Sequence, residues 1–272
     1  MKICAVVVVY NPDKKELAEN LATYAPDVDT LIVWDNTPDG AFGSGREDKG
    51  ILPANALLRG ENRNAGLGYA FNVAARYAAA NGFTHLLTMD QDSRWENFRG
   101  FRDFVARSGT ESIFTPLLSY EERGDAESEP RRQYINSGAL YPLRVIERIG
   151  DFNEDFFIDA IDKEYGIRAH KKGIAIMRYN GCRLVHQLGY HRSIGGHDVN
   201  CYSAFRLYYL NRNCIKMFRK QRDAASLREC LFYFKQFALK RGWQIVRYED
   251  RKLSKLSAIA RGVFSGLFSG LR

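Results

Sequence analysis

The run Thr84-His85-Leu86-Leu87-Thr88-Met89 leads into Asp90-Gln91-Asp92-Ser93, so an apolar segment stops abruptly at two carboxylates one residue apart. A short apolar run preceded by Gly82-Phe83 predicts a strand buried within a sheet. Asp90 and Asp92 then lie where that strand emerges, at the carboxyl edge where open α/β sheets bind ligands. Neighbouring carboxylates repel each other unless a positive charge sits between them. A divalent cation meets that need, since magnesium binds through one or two carboxylates plus substrate phosphate oxygens. The same residues also suit a plain helix entry, with Asp92 or Ser93 capping a helix from Arg94.

The stretches around this one build the rest of a sheet. Residues 3–9 form a continuous β-branched run, as expected of a parallel strand covered on both faces. A helix entered at Pro12-Asp13 carries Leu17, Leu21 and Tyr24 at helical spacing and is closed by Pro26. A second strand, 30–34, runs into Asp35-Asn36. This βαβ unit brings Tyr10 and Asp35 to the same sheet edge as Asp90. An Asp there can accept from a pyrimidine ring N–H while Tyr10 stacks on the base, although Asp35 also suits a simple turn. After a surface loop at 37–54 and a short strand at Leu57-Leu58, Asn64-Ala65-Gly66-Leu67-Gly68 opens an alanine-rich helix at 73–81. Such a glycine loop can cradle phosphate on backbone N–H groups. It is not a dinucleotide fingerprint, because Phe71 holds the place of the third glycine.

Further on, 94–107 reads as an amphipathic helix, Ile113-Phe114 as a strand, and 119–133 as a polar surface loop. Tyr134 to Leu140 reads as a strand interrupted at Ser137-Gly138, where a glycine marks close approach of a ligand or a bulge. Asn136 and Ser137 would then lie near sugar hydroxyls. Asp159 and Asp162 fall at i, i+3 on one face of a helix start, and one of them can serve as a base. That helix ends at Lys171-Lys172-Gly173, followed by strands at 174–177 and 184–185. His186, just past an apolar strand, can be a third metal ligand through neutral imidazole. Residues 187–199, with Gly189, Gly195, Gly196, His191, Arg192 and His197, read as a flexible lid able to meet a diphosphate.

The chain has 272 residues, 45% of them hydrophobic, enough for one large α/β body and a helical appendage. No run of about twenty apolar residues occurs, so no spanning helix is expected. The opening apolar run is too short for a leader and reads as core. Five scattered cysteines without Cys-x-x-Cys argue against a disulfide framework or zinc cluster and for the reducing cytoplasm. Charge is divided unevenly. From Tyr202 onward 16 Lys and Arg face 4 Asp and Glu, a net +12, which leaves −4 on residues 1–201 of a chain at +8 overall. The tail reads as helices in which basic residues interleave with Phe, Tyr, Trp and Leu, suited to an anionic membrane surface or to packing on the body. No nucleic-acid recognition motif accompanies it.

Taken in order, these motifs resemble the family 2 inverting glycosyltransferases of GT-A fold, in particular a rhamnosyltransferase-type branch that builds O-antigen and other cell-surface polysaccharides. The resemblance spans about residues 3–215. It rests on Val8-Val9-Tyr10-Asn11-Pro12, Asp35-Asn36, Asn64-Ala-Gly-Leu-Gly with Asn72, Asp90-Gln-Asp92-Ser93 and Asn136-Ser137-Gly138. It continues through Phe157-Ile158-Asp159, Asp162-x-Glu164 with Arg168, His186 with Gly189, and Tyr208-Tyr209-x-x-Arg212-Asn213. It implies an α/β GT-A catalytic domain at 1–200, with a mostly parallel central sheet flanked by helices, and a basic helical extension at 201–272. Tyr10, Asp35, Asn64, Gly66 and Asp90 would bind the nucleotide, and Asn136, Ser137 and Gly138 the sugar. Asp90, Asp92 and His186 would hold Mg2+ or Mn2+. Asp162 stands at the position of the family's base; Asp159 competes, because Ile161-Asp162 stands where many relatives have Glu-Asp. The implied donor is dTDP-L-rhamnose, with a UDP-sugar (galactofuranose, glucose or galactose) as the alternative, and the acceptor a saccharide or lipid-linked saccharide. The resemblance implies a cytoplasmic enzyme, peripheral on the inner face of the bacterial plasma membrane, and leaves homo-oligomerisation open. Readings of another class are a sugar-1-phosphate nucleotidyltransferase and a non-catalytic membrane-docking scaffold. The first would carry a Gly-rich basic loop after strand one, where Tyr10-Asn11-Pro12-Asp13 stands instead.

Overall fold

Strand β1 (Ile3–Val9) is buried at every position. Its alternate residues feed two separate cores: Cys4, Val6 and Val8 join one, and Ile3, Ala5, Val7 and Val9 the other. That period of two on a doubly covered strand is what the continuous apolar run anticipates. The computed structural model describes residues 1–42, 51–109, 111–186, 190–194, 197–221 and 227–270.

Strands β2 (Thr30–Asp35) and β4 (His85–Asp90) flank β1 in parallel, and β3 (Ala56–Gly60) extends the sheet beyond β2. The chain thus winds outward from β1 on one side and returns on the other. This reversal of strand order opens a crevice at the carboxyl ends of β1 and β4. Beyond β4 the sheet turns mixed. Strand β8 (Ala139–Pro142) is antiparallel to β4 and to β6 (Ile113–Leu118), and β9 (Ile176–Val185) is parallel to β6. The short strands β5 (Arg94–Glu96) and β7 (Ser128–Pro130) both run antiparallel to β9. Helices α1 (Lys14–Ala22) and α3 (Phe98–Ser108) cover one face through Leu17, Leu21, Phe101 and Phe104. Helices α2 (Leu67–Ala80), α4 (Leu143–Ile149) and α5 (Ile161–Lys171) cover the other through Phe71, Ala74, Val145 and Tyr165.

Several expected elements have different bounds. The helix expected over 94–107 begins at Phe98, because Trp95 N donates to Thr23 Oγ1 (3.0 Å) and residues 94–96 pair with β9. Asn97, in the left-handed region at φ 67°, caps α3 instead of Asp92 or Ser93. The strands expected at 174–177 and 184–185 are one strand, β9, and its pairing with β6 shifts register between Pro116 and Leu117. The loop expected at 119–133 contains β7 and is tied down by the buried Arg178, which is ion-paired with Glu129 and with Glu121 (3.2 Å). The strand expected from Tyr134 starts only at Ala139, and α2 starts at Leu67, directly after its glycine loop.

In the lid segment, β10 (Tyr190–Ile194) and β11 (His197–Cys201) pair antiparallel; Gly189, Gly195 and Gly196 lie outside the described residues. So do 43–50 of the surface loop and the last two residues. The C-terminal helices are α6 (Ala204–Lys220), α7 (Leu227–Phe234), continued by a π-helical segment Lys235–Lys240, then α8 (Arg241–Tyr248) and α9 (Lys252–Phe268). Helix α9 lies close against α6 because Gly262 and Gly266 carry no side chain. A Cβ at Gly262 would stand 2.4 Å from Tyr208 O, and one at Gly266 2.8 Å from Arg212 O. No described helix is long and apolar enough to cross a membrane.

Candidate active site

The carboxyl ends of β1, β2 and β4 bring Tyr10, Asp35 and Asp90 to one edge, since Val9 pairs with Asp35 and Val8 with Asp90. The Tyr10 ring is 49% exposed, and its backbone is held by Gln91, whose Oε1 accepts from Tyr10 N at 2.7 Å. Asp35 is buried, and its two oxygens accept from Thr37 N (2.9 Å) and Ala41 N (2.5 Å), which folds the loop after β2 back over the strand end. Asn64 Oδ1 accepts from Gly66 N at 3.0 Å, forming the tight turn into α2. Gly66 adopts φ 84°, and a Cβ there would meet Phe157 at 2.9 Å, so only glycine fits. The first amide of α2 is already taken: Leu67 N donates to Phe157 O at 2.8 Å. Asn72 has a structural task, donating to Phe152 O and accepting from Phe152 N across to the segment before α5.

Asp90, Asp92 and His186 come together from the end of β4 and the end of β9. One ligand atom from each lies within 4.8 Å of the others. Burial pushes the Asp90 carboxyl up to about 6; His186 pulls it down, and Asp92 and Asp162 push it further up. Burial lowers His186, but the carboxylates of Asp92, 3.5 Å away, and Asp90 outweigh it, so the imidazole is raised overall. Asp92 Oδ1 is buried and, beyond His186 Nδ1 at 3.5 Å, meets no hydrogen-bond donor among the described residues. A buried carboxylate oxygen without a close donor, beside a second carboxylate and an imidazole, is a donor set suited to a divalent cation. These residues fit a metal.

The loop 136–138 adjoins the cluster. Ser137 Oγ accepts from Asp90 N at 3.1 Å and donates to Ser93 Oγ at 2.7 Å. Asn136 Oδ1 accepts from Tyr141 Oη at 3.2 Å. Gly138, at φ 79°, donates to Thr88 O and leaves no room for a Cβ against Leu184 and Pro116.

Asp159 and Asp162 do not share a helix face. Asp159 precedes α5 in the left-handed region at φ 62°, whereas Asp162 sits in its first turn. Both Asp159 oxygens accept from Arg206, at 3.0–3.2 Å, so its charge is matched. Asp162 is half-buried, accepts from Lys163 N at 2.8 Å and pairs with no cation among the described residues. Burial is the main reason its carboxyl is raised, with the Lys163 charge opposing. Helix α6 fixes the loop before α5: Asn213 Nδ2 donates to Phe156 O and Ile158 O, and Arg212 and Lys216 both hold Asp155. Glu164 and Arg168 of the α5 motif form an internal bond at 3.0 Å, and Arg168 also donates to Asp151 O. The sequence alone does not distinguish Arg206 from the other basic residues of the tail. The clue was its place at the start of the helix bearing Tyr208-Tyr209, but its partner lies 47 residues away. Its positive charge also reaches Asp90 and His186.

No protein-family profile matches the chain. It is 27% identical to the dTDP-rhamnosyl transferase RfbF of Shigella flexneri, over 85% of this chain and 85% of that one. Among solved structures it is similar to S. aureus TarS 1-349 in complex with UDP-GlcNAc (TM-score 0.54, 16% identity), over 97% of this chain and 81% of that one. It spans 44% of a longer TarS chain. It is also similar to GalNAc-T7 with UDP, GalNAc and Mn2+ (TM-score 0.55, 10% identity), over 92% of this chain and 58% of that one. The chain thus has the GT-A fold, and the proteins it is similar to in sequence and in structure are glycosyltransferases.

Proposed function

We propose that the chain transfers L-rhamnose from dTDP-L-rhamnose, with inversion, to a hydroxyl of a saccharide or lipid-linked saccharide in cell-surface polysaccharide synthesis. One observation carries the catalytic part: Asp162, ion-paired with no cation among the described residues, lies near enough to the Asp90, Asp92 and His186 cluster to push the Asp90 carboxyl up, at the crevice of the sheet. The rhamnosyl donor rests on the likeness to the Shigella flexneri enzyme, which favours it over a UDP-sugar. Asp162 accepts the proton of the acceptor hydroxyl. The acceptor oxygen bonds to the anomeric carbon as the bond from that carbon to the phosphate oxygen breaks, and dTDP leaves with the electron pair. Attack opposite the leaving group inverts the centre. Asp90, Asp92 and His186 would hold Mg2+ or Mn2+, which supplies positive charge to the departing diphosphate. Arg206, held by Asp159, adds a fixed positive charge on the same side. Tyr10 offers an exposed ring for the base, Asp35, Asn64 and Gly66 shape the nucleotide pocket, and the buried loop Asn136 to Gly138 backs the sugar side through the bond of Ser137 to the Asp90 amide.

We assign the catalytic body to 1–200 and the helical extension to 201–272, whose exposed apolar and basic side chains suit the anionic inner face of the plasma membrane. Calorimetric titration with dTDP, UDP and GDP, each with and without Mn2+, tests the donor. Tight metal-dependent binding of dTDP is expected. Preference for UDP would move the donor to a UDP-hexose, and no binding of any would overturn the transferase assignment of this crevice.

A further inference from the structure

We infer that Ser93 and Ser137 form a hydroxyl relay that orients the His186 imidazole in the metal site, so that both act as positioning residues. The inference rests on the proposed metal-binding role of Asp90, Asp92 and His186. The relay runs from a backbone amide to a ring. Asp90 N donates to Ser137 Oγ (3.1 Å), Ser137 Oγ meets Ser93 Oγ (2.7 Å), and Ser93 Oγ meets His186 Nδ1 (2.8 Å). Both serines are 1% exposed, so neither hydroxyl is available to a sugar in this arrangement.

Three segments far apart in sequence converge here: the end of β4, the loop before β8 and the end of β9. His186 follows the last residue of β9 and has no strand register to fix its ring. The contact to Ser93 Oγ supplies that restraint, and Ser137 fixes Ser93 in turn. For the ring to ligate through Nε2, Nδ1–H donates to Ser93 Oγ, whose second lone pair accepts from Ser137 Oγ, so the relay also selects the ligating tautomer. Partners of this kind set the orientation of a ligating imidazole, and losing one lowers metal affinity by about 10–100-fold.

The test is Mn2+ alone titrated into the full-length chain, followed by calorimetry and by the paramagnetic resonance of free Mn2+. Ser93→Ala, which leaves the Asp90 amide bonded, should weaken Mn2+ binding about 10–100-fold. Its melting temperature without metal should match wild type. Ser93→Cys, which keeps a weak donor in similar volume, should fall between the two. Ser137→Ala should weaken binding too, and the double variant should be no worse than the weaker single one, since the contacts act in series. In a His186→Ala background, Ser93→Ala should change nothing further. A loss of the same size in that background would overturn the relay, because Ser93 would then act through Asp92 or the fold. Unchanged affinity in Ser93→Ala, with affinity lost in His186→Ala, would overturn it as well while leaving the metal site standing. Absence of Mn2+ binding to wild type would remove the metal site and the relay together.

Discussion

Asp159 and Asp162 stand three residues apart, yet their surroundings give them opposite tasks. Arg206 neutralises Asp159 through paired contacts at 3.0–3.2 Å, which suits it to holding a cation in place rather than taking a proton. Burial raises the Asp162 carboxyl against the opposing Lys163 charge, and no cation among the described residues pairs with it, so it is a stronger base than an ordinary aspartate. Asp162→Asn should lower transfer by about 10²–10⁴-fold, the usual worth of a general base, and leave dTDP affinity in place. The same substitution should affect stability in the opposite direction. A carboxyl whose folded pKa lies above its unfolded value binds protons more readily when folded, so the ionised form destabilises the fold above that pKa. The penalty disappears as pH falls through the raised pKa towards the ordinary carboxylate range. Asp162→Asn should therefore melt higher than wild type at neutral pH, with the gap closing on acidification; a gap that does not depend on pH would contradict this origin. For Arg206→Gln, dTDP affinity should fall about tenfold, the worth of one charge-assisted contact. Calorimetry would detect an unchanged affinity, which would confine Arg206 to bracing Asp159.

At the level of elements, what the sequence revealed followed from local pattern, and what it hid followed from distant partners. Strands β1, β2 and β4 stand within a residue of their expected bounds, since each is an unbroken apolar run closed by polar residues. The sequence divides strand β9 because Asn180 and Gly181 interrupt its apolar pattern, while β6 and β7 pair with it up to Tyr179 and β5 and β6 pair with it again from Arg183. The β5–α3 boundary was hidden because Trp95 belongs to the same aromatic cluster as Phe98 and Phe101. The acid pair and His186 were legible as motif members. The work of Ser93 was not, because its partner His186 lies 93 residues away. One turn was legible and is strongly constrained: the glycine loop into α2. Gly66→Ala must hold a side chain at φ 84° with its Cβ 2.9 Å from Phe157. It should lose about 1–3 kcal/mol in denaturant unfolding, and displacement of the Asn64 turn should weaken dTDP binding. A denaturation midpoint equal to wild type would show that the loop can relax around the methyl group.

The whole molecule is electrically lopsided, with +12 on residues 202–272 and −4 on the remainder. The last acidic residues of the chain, Glu249 and Asp250, are both engaged by Lys255, and Glu249 also by Arg241. Lys240, Arg247, Lys252 and Arg261 remain at the surface. Among them stand Trp243 at 61% exposure, Leu253 at 86%, Phe264 at 65% and Phe268 at 70%. Helix α9 uses its other face, Ala258, Ile259, Gly262 and Gly266, to pack inward, so the exposed side chains are what an otherwise satisfied helix presents outward. Large apolar side chains among lysines and arginines match an anionic lipid surface, where rings enter the headgroup region and cations meet phosphates. The full-length chain should therefore sediment with phosphatidylglycerol vesicles and much less with phosphatidylcholine. Added salt should weaken the binding without abolishing it, because the apolar part is not screened. Replacing Trp243, Phe264 and Phe268 together with serine should lower vesicle affinity by at least about tenfold, since each ring forfeits apolar burial. Transfer to a soluble acceptor should be unchanged, as none of the three belongs to the catalytic crevice. Equal binding to both vesicle types, or a triple variant that binds like wild type, would assign these helices to protein contacts instead.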